Sequence, residues 1–247
     1  MATTGLNKNI GIAPETASAT EPQRKMVIAV DGPAASGKGT LARKLAERLG
    51  YAYLDTGALY RAVAFATLEI AGDPSNIRDV EPAVGIVKRN LTMELLANAA
   101  LRRPDVSEAS SKVAALPQVR AELLDFQRAF AKNPPDDVGG VVLDGRDIGT
   151  VVCPDADIKL FVTATAEERA RRRFKELQPR HPQLTLEAVL ADLMQRDTRD
   201  SSRKVAPTTP ANDAHMLDTT KLSPAEVLDE ATRIVKEKFL TATDVQA

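Results

Sequence analysis

The residues best suited to chemistry form one glycine-rich run that ends in lysine and threonine. The run reads Gly32-Pro33-Ala34-Ala35-Ser36-Gly37-Lys38-Gly39-Thr40. Glycines allow successive backbone N–H groups to point at one anion, Lys38 adds charge for terminal phosphates, and the Thr40 hydroxyl suits Mg²⁺. The pattern predicts a nucleotide phosphate site with Thr40 as its magnesium ligand. A strand-to-helix turn that contains lysine by chance is the plainer alternative.

Arginine side chains are the second feature, because a guanidinium group grips phosphate through two hydrogen bonds. They are Arg61, Arg120, Arg146, Arg169, Arg172, Arg173, Arg196, Arg199 and Arg203. Arg196, Asp200 and Arg203 recur at helical spacing, so they share one face of a predicted helix. That face can bind one ligand, and a solvated face with an ordinary Arg196–Asp200 ion pair fits the same spacing.

Other polar residues give weaker indications. Asp144 ends a predicted strand, where a carboxylate can reach magnesium through water, and a turn-forming Asp-Gly pair is the alternative. His181 and His215 have no partners at metal-ligand spacing, which argues against zinc. Cys153 has no histidine nearby in sequence, so packing is its expected role.

The elements around these residues alternate between strands and helices. Apolar runs predict strands at 26–30, 51–54, 138–143, 158–162 and 216–217, with helical periodicity between them. Thr165 with Glu168, and Ser223 with Glu226, have the spacing of capping boxes, so helices should begin there. The alternation predicts an α/β fold whose parallel sheet is covered by helices on both faces.

The 247 residues suit one domain with an insertion. Residues 1–24 lack apolar periodicity and are predicted to be a disordered tail, with an organellar transit sequence as the alternative. The domain is expected over 25–240. Three prolines blur the pattern across 72–107, which we interpret as an inserted subdomain, and periodicity at 91–96 fits a strand or a helix.

Charge and composition limit the partners and the compartment. Lysine and arginine total 33 against 34 acidic residues, and aromatic residues are 4% of the chain, so no nucleic-acid partner is expected. No apolar stretch approaches the roughly 20 residues that cross a bilayer, so no membrane partner is expected. A single cysteine excludes an internal disulfide and makes the cytoplasm the expected compartment.

Four stretches resemble the bacterial cytidylate kinases, which are phosphate-loop kinases of nucleoside monophosphates. They are Gly-Lys-Gly-Thr at 37–40, Leu-Asp-Thr-Gly-Ala-Leu-Tyr-Arg at 54–61, Asp-Gly-Arg-Asp-Ile-Gly-Thr-Val-Val at 144–152 and Arg-Asp-Thr-Arg-Asp-Ser-Ser-Arg at 196–203. The segment from Ser111 to Arg120 is similar to the family's base-recognition segment. The resemblance implies a five-stranded parallel sheet flanked by helices, an acceptor-binding insertion at 72–107 and a small lid at 165–185.

The resemblance also implies a role for each site residue. Thr56, Arg61 and Arg146 would hold the acceptor phosphate, Ser111, Arg120 and Asp147 would read cytosine, and Arg196 and Asp200 would contact the pentose. Arg203 would approach the phosphates, and Arg169, Arg172 and Arg173 would close over the donor. The catalytic set would be Lys38, Arg146, Arg173, Arg196 and Arg203. A carboxylate at 147 suits cytosine because it accepts from the exocyclic amine, where uracil has a repelling carbonyl.

The implied activity is transfer of the ATP γ-phosphoryl group to CMP or dCMP, with Mg²⁺ required, by a monomer. Alternatives are a kinase of UMP or AMP, and a nucleotide-dependent switch that transfers nothing to a small molecule. Two features depart from the family's pattern. Thr56 stands where many relatives have serine, and this substitution keeps the hydroxyl. The 72–107 insertion is short, so the family's usual antiparallel sheet there is not carried over.

Overall fold

A computed structural model describes residues 25–135 and 138–244, so the predicted N-terminal tail lies outside the described residues. The strands are β1 (Met26–Asp31), β2 (Ala52–Asp55), β3 (Gly140–Asp144), β4 (Ile158–Thr163) and β5 (His215–Asp218). They form one sheet in the order β2-β3-β1-β4-β5, and every neighbouring pair is parallel. The predicted five-stranded parallel sheet is therefore confirmed.

Helices occupy both faces of this sheet. They are α1 (Lys38–Leu49), α2 (Thr56–Glu69), α3 (Ile77–Arg89), α4 (Met93–Ala97), α5 (Pro104–Val113), α6 (Pro117–Lys132), α7 (Ala166–Leu177), α8 (Leu186–Ser201) and α9 (Pro224–Asp244), with a 3₁₀ turn at Ala99–Arg102 and a π-helix at Ile148–Val152. Within the described ranges, no helix combines the length and the apolar character needed to cross a membrane.

The sheet divides the apolar core into two layers. On one face Ile28, Val30 and Leu160 pack against Leu45 of α1 and Ala231 of α9. On the other face, Ala29 and Leu143 pack with Ile148 and Phe130. Burial on both faces explains why the central strands read as continuous apolar runs in the sequence.

Three aspartates end neighbouring strands at the same edge of the sheet. Asp31 ends β1, Asp55 ends β2 and Asp144 ends β3. The register pairs Val30, which precedes Asp31, and Asp55 with Asp144. The three aspartates therefore lie close together. The carboxyl edge of a parallel sheet is where ligands of open α/β folds bind, so the site is expected there.

The 72–107 segment is helical and contains no strand, and the open choice at 91–96 resolves as α4. Pro82 lies inside α3, which hid this helix from the sequence pattern. A proline there removes one backbone hydrogen bond, but α3 buries Val80, Val84 and Val87 against α2 and α6. Burial of that apolar face outweighs the local preference against a helix.

The two predicted capping boxes differ. Ser223 and Glu226 exchange hydrogen bonds, from Ser223 N to Glu226 Oε2 at 2.8 Å and from Glu226 N to Ser223 Oγ at 3.3 Å. Thr165 accepts from Glu168 N at 3.3 Å, but its own N–H donates to Thr220 Oγ1. The second box is therefore only half formed, because Glu168 pairs instead with Arg172.

Two glycines allow a test of the backbone around the phosphate run. A Cβ at Gly32 would lie 2.0 Å from the Val162 carbonyl oxygen. At Gly50, which has φ +66°, no atom of the described part of the chain lies within 4 Å of an added Cβ. We expect Gly32→Ala to lower the free energy of unfolding by more than about 3 kcal/mol, and Gly50→Ala by only about 1 kcal/mol. Urea denaturation measures both. Equal losses would contradict the close approach of loop and strand.

Candidate functional site

Two cavities meet at the glycine-rich run. The larger has a volume of about 800 Å³ and the smaller about 160 Å³. Lys38, Gly39 and Asp55 line both cavities. The arrangement therefore offers space for two ligands that approach each other at Lys38.

The glycine-rich run forms the floor of the larger cavity at the start of α1. Residues 35–40 line it, while Gly32, Pro33 and Ala34 do not. Those three shape the loop instead: Gly32 lies against β4, Pro33 O accepts from Lys38 Nζ at 3.3 Å, and Ala34 is buried beside α7 and α8. Gly37 has a left-handed φ of 89° and caps α1, whose N-terminus adds partial positive charge.

The glycine between Lys38 and Thr40 has a steric explanation. A Cβ at Gly39 would lie 2.8 Å from Asp144 Oδ2, so a larger residue would displace this carboxylate. Burial raises the pKa of Asp144 to about 6, although the nearby charge of Lys38 acts to lower it. The Oδ1 atom of Asp144 is buried and has no hydrogen-bond partner among the described residues. The Thr40 side chain is exposed in the larger cavity. An unpartnered carboxylate oxygen and an exposed hydroxyl, on either side of Gly39, are the kinds of oxygen donor that fit Mg²⁺.

Any metal here would have few protein ligands. In the described part of the chain, no three histidine, cysteine, aspartate or glutamate side chains are placed to hold a metal ion. Magnesium commonly binds one or two protein groups together with substrate phosphates and water, so a small donor set is compatible with it.

The three arginines of α7 that were expected to close over the donor have different surroundings. Arg169 is buried, donates to Ala164 O at 3.0 Å and Ala34 O at 3.1 Å, and pairs with Asp197 at 2.6 Å. It ties the phosphate loop to α7 and α8 and does not line the larger cavity. Arg172 and Arg173 do line it, and they pair with Glu168 and Glu176 at 3.0 and 2.9 Å.

Asp200 is the centre of the smaller cavity. It is 3% exposed, and its carboxylate contacts Arg203 at 2.6 Å, Arg146 at 3.2 Å and Arg196 at 3.9 Å, and accepts from Ser111 Oγ at 3.1 Å. Burial raises the pKa of Asp200, but the three arginines more than offset it, so the net shift is downward. The helical stripe predicted from sequence is therefore a buried charge cluster, and the solvated-face alternative is wrong.

Helix α2 contributes two further groups to this cavity. Its cap residue Asp55 accepts from Ala58 N at 3.1 Å and pairs with Arg61 at 2.7 Å. Thr56 Oγ1 donates to Asp144 O at 2.8 Å. The Nε atoms of Arg61, Arg196 and Arg203 are buried, and no residue within the described ranges forms a hydrogen bond with them. Orphaned guanidinium donors that share one cavity suit an anionic ligand.

The far wall of the smaller cavity is a buried ion pair between Arg120 of α6 and Asp147. The Arg120 guanidinium also lies over the Tyr60 ring, 5.4 Å from its centroid. Asp147 precedes the π-helix, and Asp31 fixes the start of this helix by accepting from Ile148 N and Gly149 N at 2.8 Å each. Short π segments often occur at functional sites.

Crowding of cations lowers proton affinity near Lys38. Burial and the neighbouring Arg146 lower the pKa of Lys38 to about 8. Burial and Arg146 also lower the pKa of Arg196 to about 10. Both shifts show that positive charge is held here at an energetic cost, which an incoming polyanion relieves.

The structure brings the sequence-predicted residues into two groups. All nine residues expected on the acceptor side line the smaller cavity: Thr56, Arg61, Ser111, Arg120, Arg146, Asp147, Arg196, Asp200 and Arg203. Of the residues expected around the donor, Gly32, Pro33, Ala34 and Arg169 stand behind the cavity wall.

Sequence reasoning gave no role to Asp31, Asp55 or Tyr60. Asp55 and Tyr60 lie inside the 54–61 stretch, and Asp31 immediately precedes the glycine-rich run. Their positions beside assigned residues were the available indication. Asp55 pairs with Arg61, Tyr60 lies under Arg120, and Asp31 binds the start of the π-helix. These contacts form only in the folded chain.

The chain matches known proteins along most of its length. A family model described as cytidylate kinase matches residues 28–237. A cytidylate kinase of Paramagnetospirillum magneticum is 51% identical over 212 residues, which cover 86% of this chain and 98% of the relative. Cytidylate kinases of Methylocella silvestris and a Methylobacterium species are 54% and 58% identical, over 85% and 76% of this chain and 94% and 86% of their own.

The pKa of Lys38 predicts how nucleotide affinity depends on pH. A phosphate beside the ammonium favours its charged form, so binding above the pKa of about 8 takes up a proton. We expect ATP to bind about tenfold more weakly at about pH 9.5 than at about pH 8. In Lys38→Met the affinity should be lower throughout, without this slope. Titration calorimetry measures both, and parallel pH profiles would contradict the assignment.

Proposed function

The chain belongs to the cytidylate kinase family, and we propose on that basis that it transfers the γ-phosphoryl group of ATP to CMP or dCMP, which yields ADP and CDP or dCDP. One observation carries the proposal for this chain. The described lining of the smaller cavity holds six cationic side chains and four carboxylates, an excess of two positive charges. A phosphate monoester carries about −1.5 to −2 charge at pH 7, so a nucleoside monophosphate balances this excess.

On the donor side, the N–H groups of residues 35–40 and the Lys38 ammonium bind the ATP phosphates, while Arg172 and Arg173 approach from the lid. Arg169 is a positioning residue in this scheme, because its guanidinium is occupied by Ala34 O and Asp197. Thr40 and Asp144 would hold Mg²⁺, which supplies positive charge to the donor phosphates when bound.

On the acceptor side, Thr56, Arg61 and Arg146 bind the phosphate, and Arg196 with Asp200 contacts the pentose. Arg203 lies beside Asp200 at 2.6 Å and reaches the phosphates from there. The acceptor phosphate is already anionic, so no side chain has to remove a proton. Alignment and neutralisation of the transferred group are sufficient chemistry for Lys38 and these arginines.

The base is read by Ser111, Arg120 and Asp147. Asp147 accepts from the exocyclic amine of cytosine, and Arg120 donates to the adjacent ring nitrogen or carbonyl. The pair is buried, which supports selectivity, because a wrong base leaves a desolvated charged group without its partner.

An acceptor panel tests the activity itself. Coupled ADP release is measured with CMP, dCMP, UMP and AMP at equal concentrations. We expect CMP and dCMP to exceed the other two by at least about a hundredfold in kcat/KM. Preference for UMP or AMP would make the chain another nucleoside monophosphate kinase, and nucleotide binding without turnover would favour a switch.

Asp147→Asn tests the base-reading role. The amide keeps the size of the side chain but adds a donor that meets the uracil carbonyl, so CMP should lose about ten- to a hundredfold in kcat/KM and UMP much less. The measured quantity is the ratio of the two efficiencies.

A matched control accounts for lost stability, since Asp147→Asn also breaks a buried ion pair. Asp213→Asn removes the carboxylate partner of the buried Lys159, 2.9 Å away and outside the smaller cavity, and leaves the hydrogen bond from Lys159 Nζ to Pro154 O. This control should lower the melting temperature without changing the CMP-to-UMP ratio. An unchanged ratio in Asp147→Asn would refute the base-reading role.

A further inference from the structure

The wall of the larger cavity includes residues of the 72–107 segment that have no role in the scheme above. They are Met93, Leu96, Ala97 and Arg102. The segment expected to serve the acceptor therefore also borders the cavity of the donor.

Arg102 differs from its neighbour Arg103 in its contacts. Arg103 pairs with Asp105 at 2.5 Å and lies over the Phe65 ring at 5.8 Å, so it has a structural role. The Arg102 guanidinium is exposed and has no hydrogen bond or ion pair with any described residue. An arginine that faces a cavity without a carboxylate partner is available to a ligand.

The cavity offers Arg102 no acidic partner of its own. Its described acidic lining consists of Asp55, Glu168 and Glu176, and each pairs with another arginine, at 2.7, 3.0 and 2.9 Å respectively. Positive charge on this side is therefore left for a polyanion to neutralise.

The backbone holds Arg102 in place. Asn98 Oδ1 accepts from Ala100 N at 2.9 Å and starts the 3₁₀ turn, and Leu101, which is 1% exposed, packs in the same cluster as Leu59 and Val63 of α2. Helix α2 also carries Arg61 on the acceptor side. One helix thus supports a cation at each cavity.

We propose that Arg102 binds the phosphates of the donor nucleotide from the insertion side, opposite the arginines of the lid. The inference rests on the proposed function, since that function makes the larger cavity the donor site. With Arg102 in this role, the insertion becomes part of the donor site. Helix α2, which carries Arg61, then links affinity for the donor to binding of the acceptor phosphate.

Neighbouring arginines provide the test. ATP binding is measured by titration calorimetry without acceptor, in wild type, Arg102→Met, Arg102→Lys and the control Arg103→Met. We expect Arg102→Met to weaken ATP binding about tenfold, Arg102→Lys to weaken it less, and Arg103→Met to change it less than about twofold. The melting temperature of Arg102→Met should equal that of wild type, because the side chain is exposed and unpaired.

Steady-state kinetics add a second readout. Arg102→Met should raise KM for ATP about tenfold and KM for CMP less than about twofold. Wild-type ATP affinity in Arg102→Met would overturn the proposal, and so would an equal loss in Arg103→Met. Failure of wild type to phosphorylate CMP would instead refute the proposed function, while the ATP titrations would still report on Arg102.

Discussion

The structure of the site depends on one buried carboxylate among arginines. Asp200 contacts Arg146, Arg196 and Arg203, and without it these cations would face one another in a desolvated cavity. A buried charge is tolerated only when partners and hydrogen bonds compensate its desolvation. Asp200 compensates part of the positive charge and leaves the remainder, which is the property that the proposed binding of an acceptor phosphate requires.

The ends of three strands bring further carboxylates to the site. Asp31, Asp55 and Asp144 stand at one carboxyl edge because β1, β2 and β3 are adjacent and parallel. Asp55 takes Arg61, Asp144 lies beside Gly39, and Asp31 fixes the π-helix that follows Asp147. Each carboxylate therefore orients an element of the site, and glycine at position 39 is required because Asp144 approaches the phosphate loop so closely.

Sequence patterns were sufficient to predict the features that depend on residues close together in the chain. Apolar runs located the five strands, most clearly the central β1, β3 and β4, because strands buried on both faces contain few polar residues. The same reasoning missed α3, where Pro82 contradicts a helix that tertiary burial nevertheless stabilises. Half of the Thr165 capping box also failed, since Glu168 has a competing partner in Arg172. Side-chain pairings between distant segments, such as Ser111 with Asp200, leave no periodic trace in sequence. The resemblance to a family assigned both residues to the acceptor side but did not predict that they contact each other.

The acceptor-side helices and the α7–α8 pair join through polar contacts, and such contacts suit the closure around two ligands that the proposed function requires. Leu59, Val63 and Leu123 belong to one apolar cluster, while Ala170 and Leu193 belong to another, so each body has its own core. Between them lies the hydrogen bond from Ser111 of α5 to Asp200 of α8, while the ion pair of Arg120 with Asp147 joins α6 to the segment after β3. A polar contact can be exchanged for one with a ligand at a small net change in free energy, whereas separating buried apolar surfaces would expose them to water. Charge at the junction therefore permits relative movement that an apolar junction would resist.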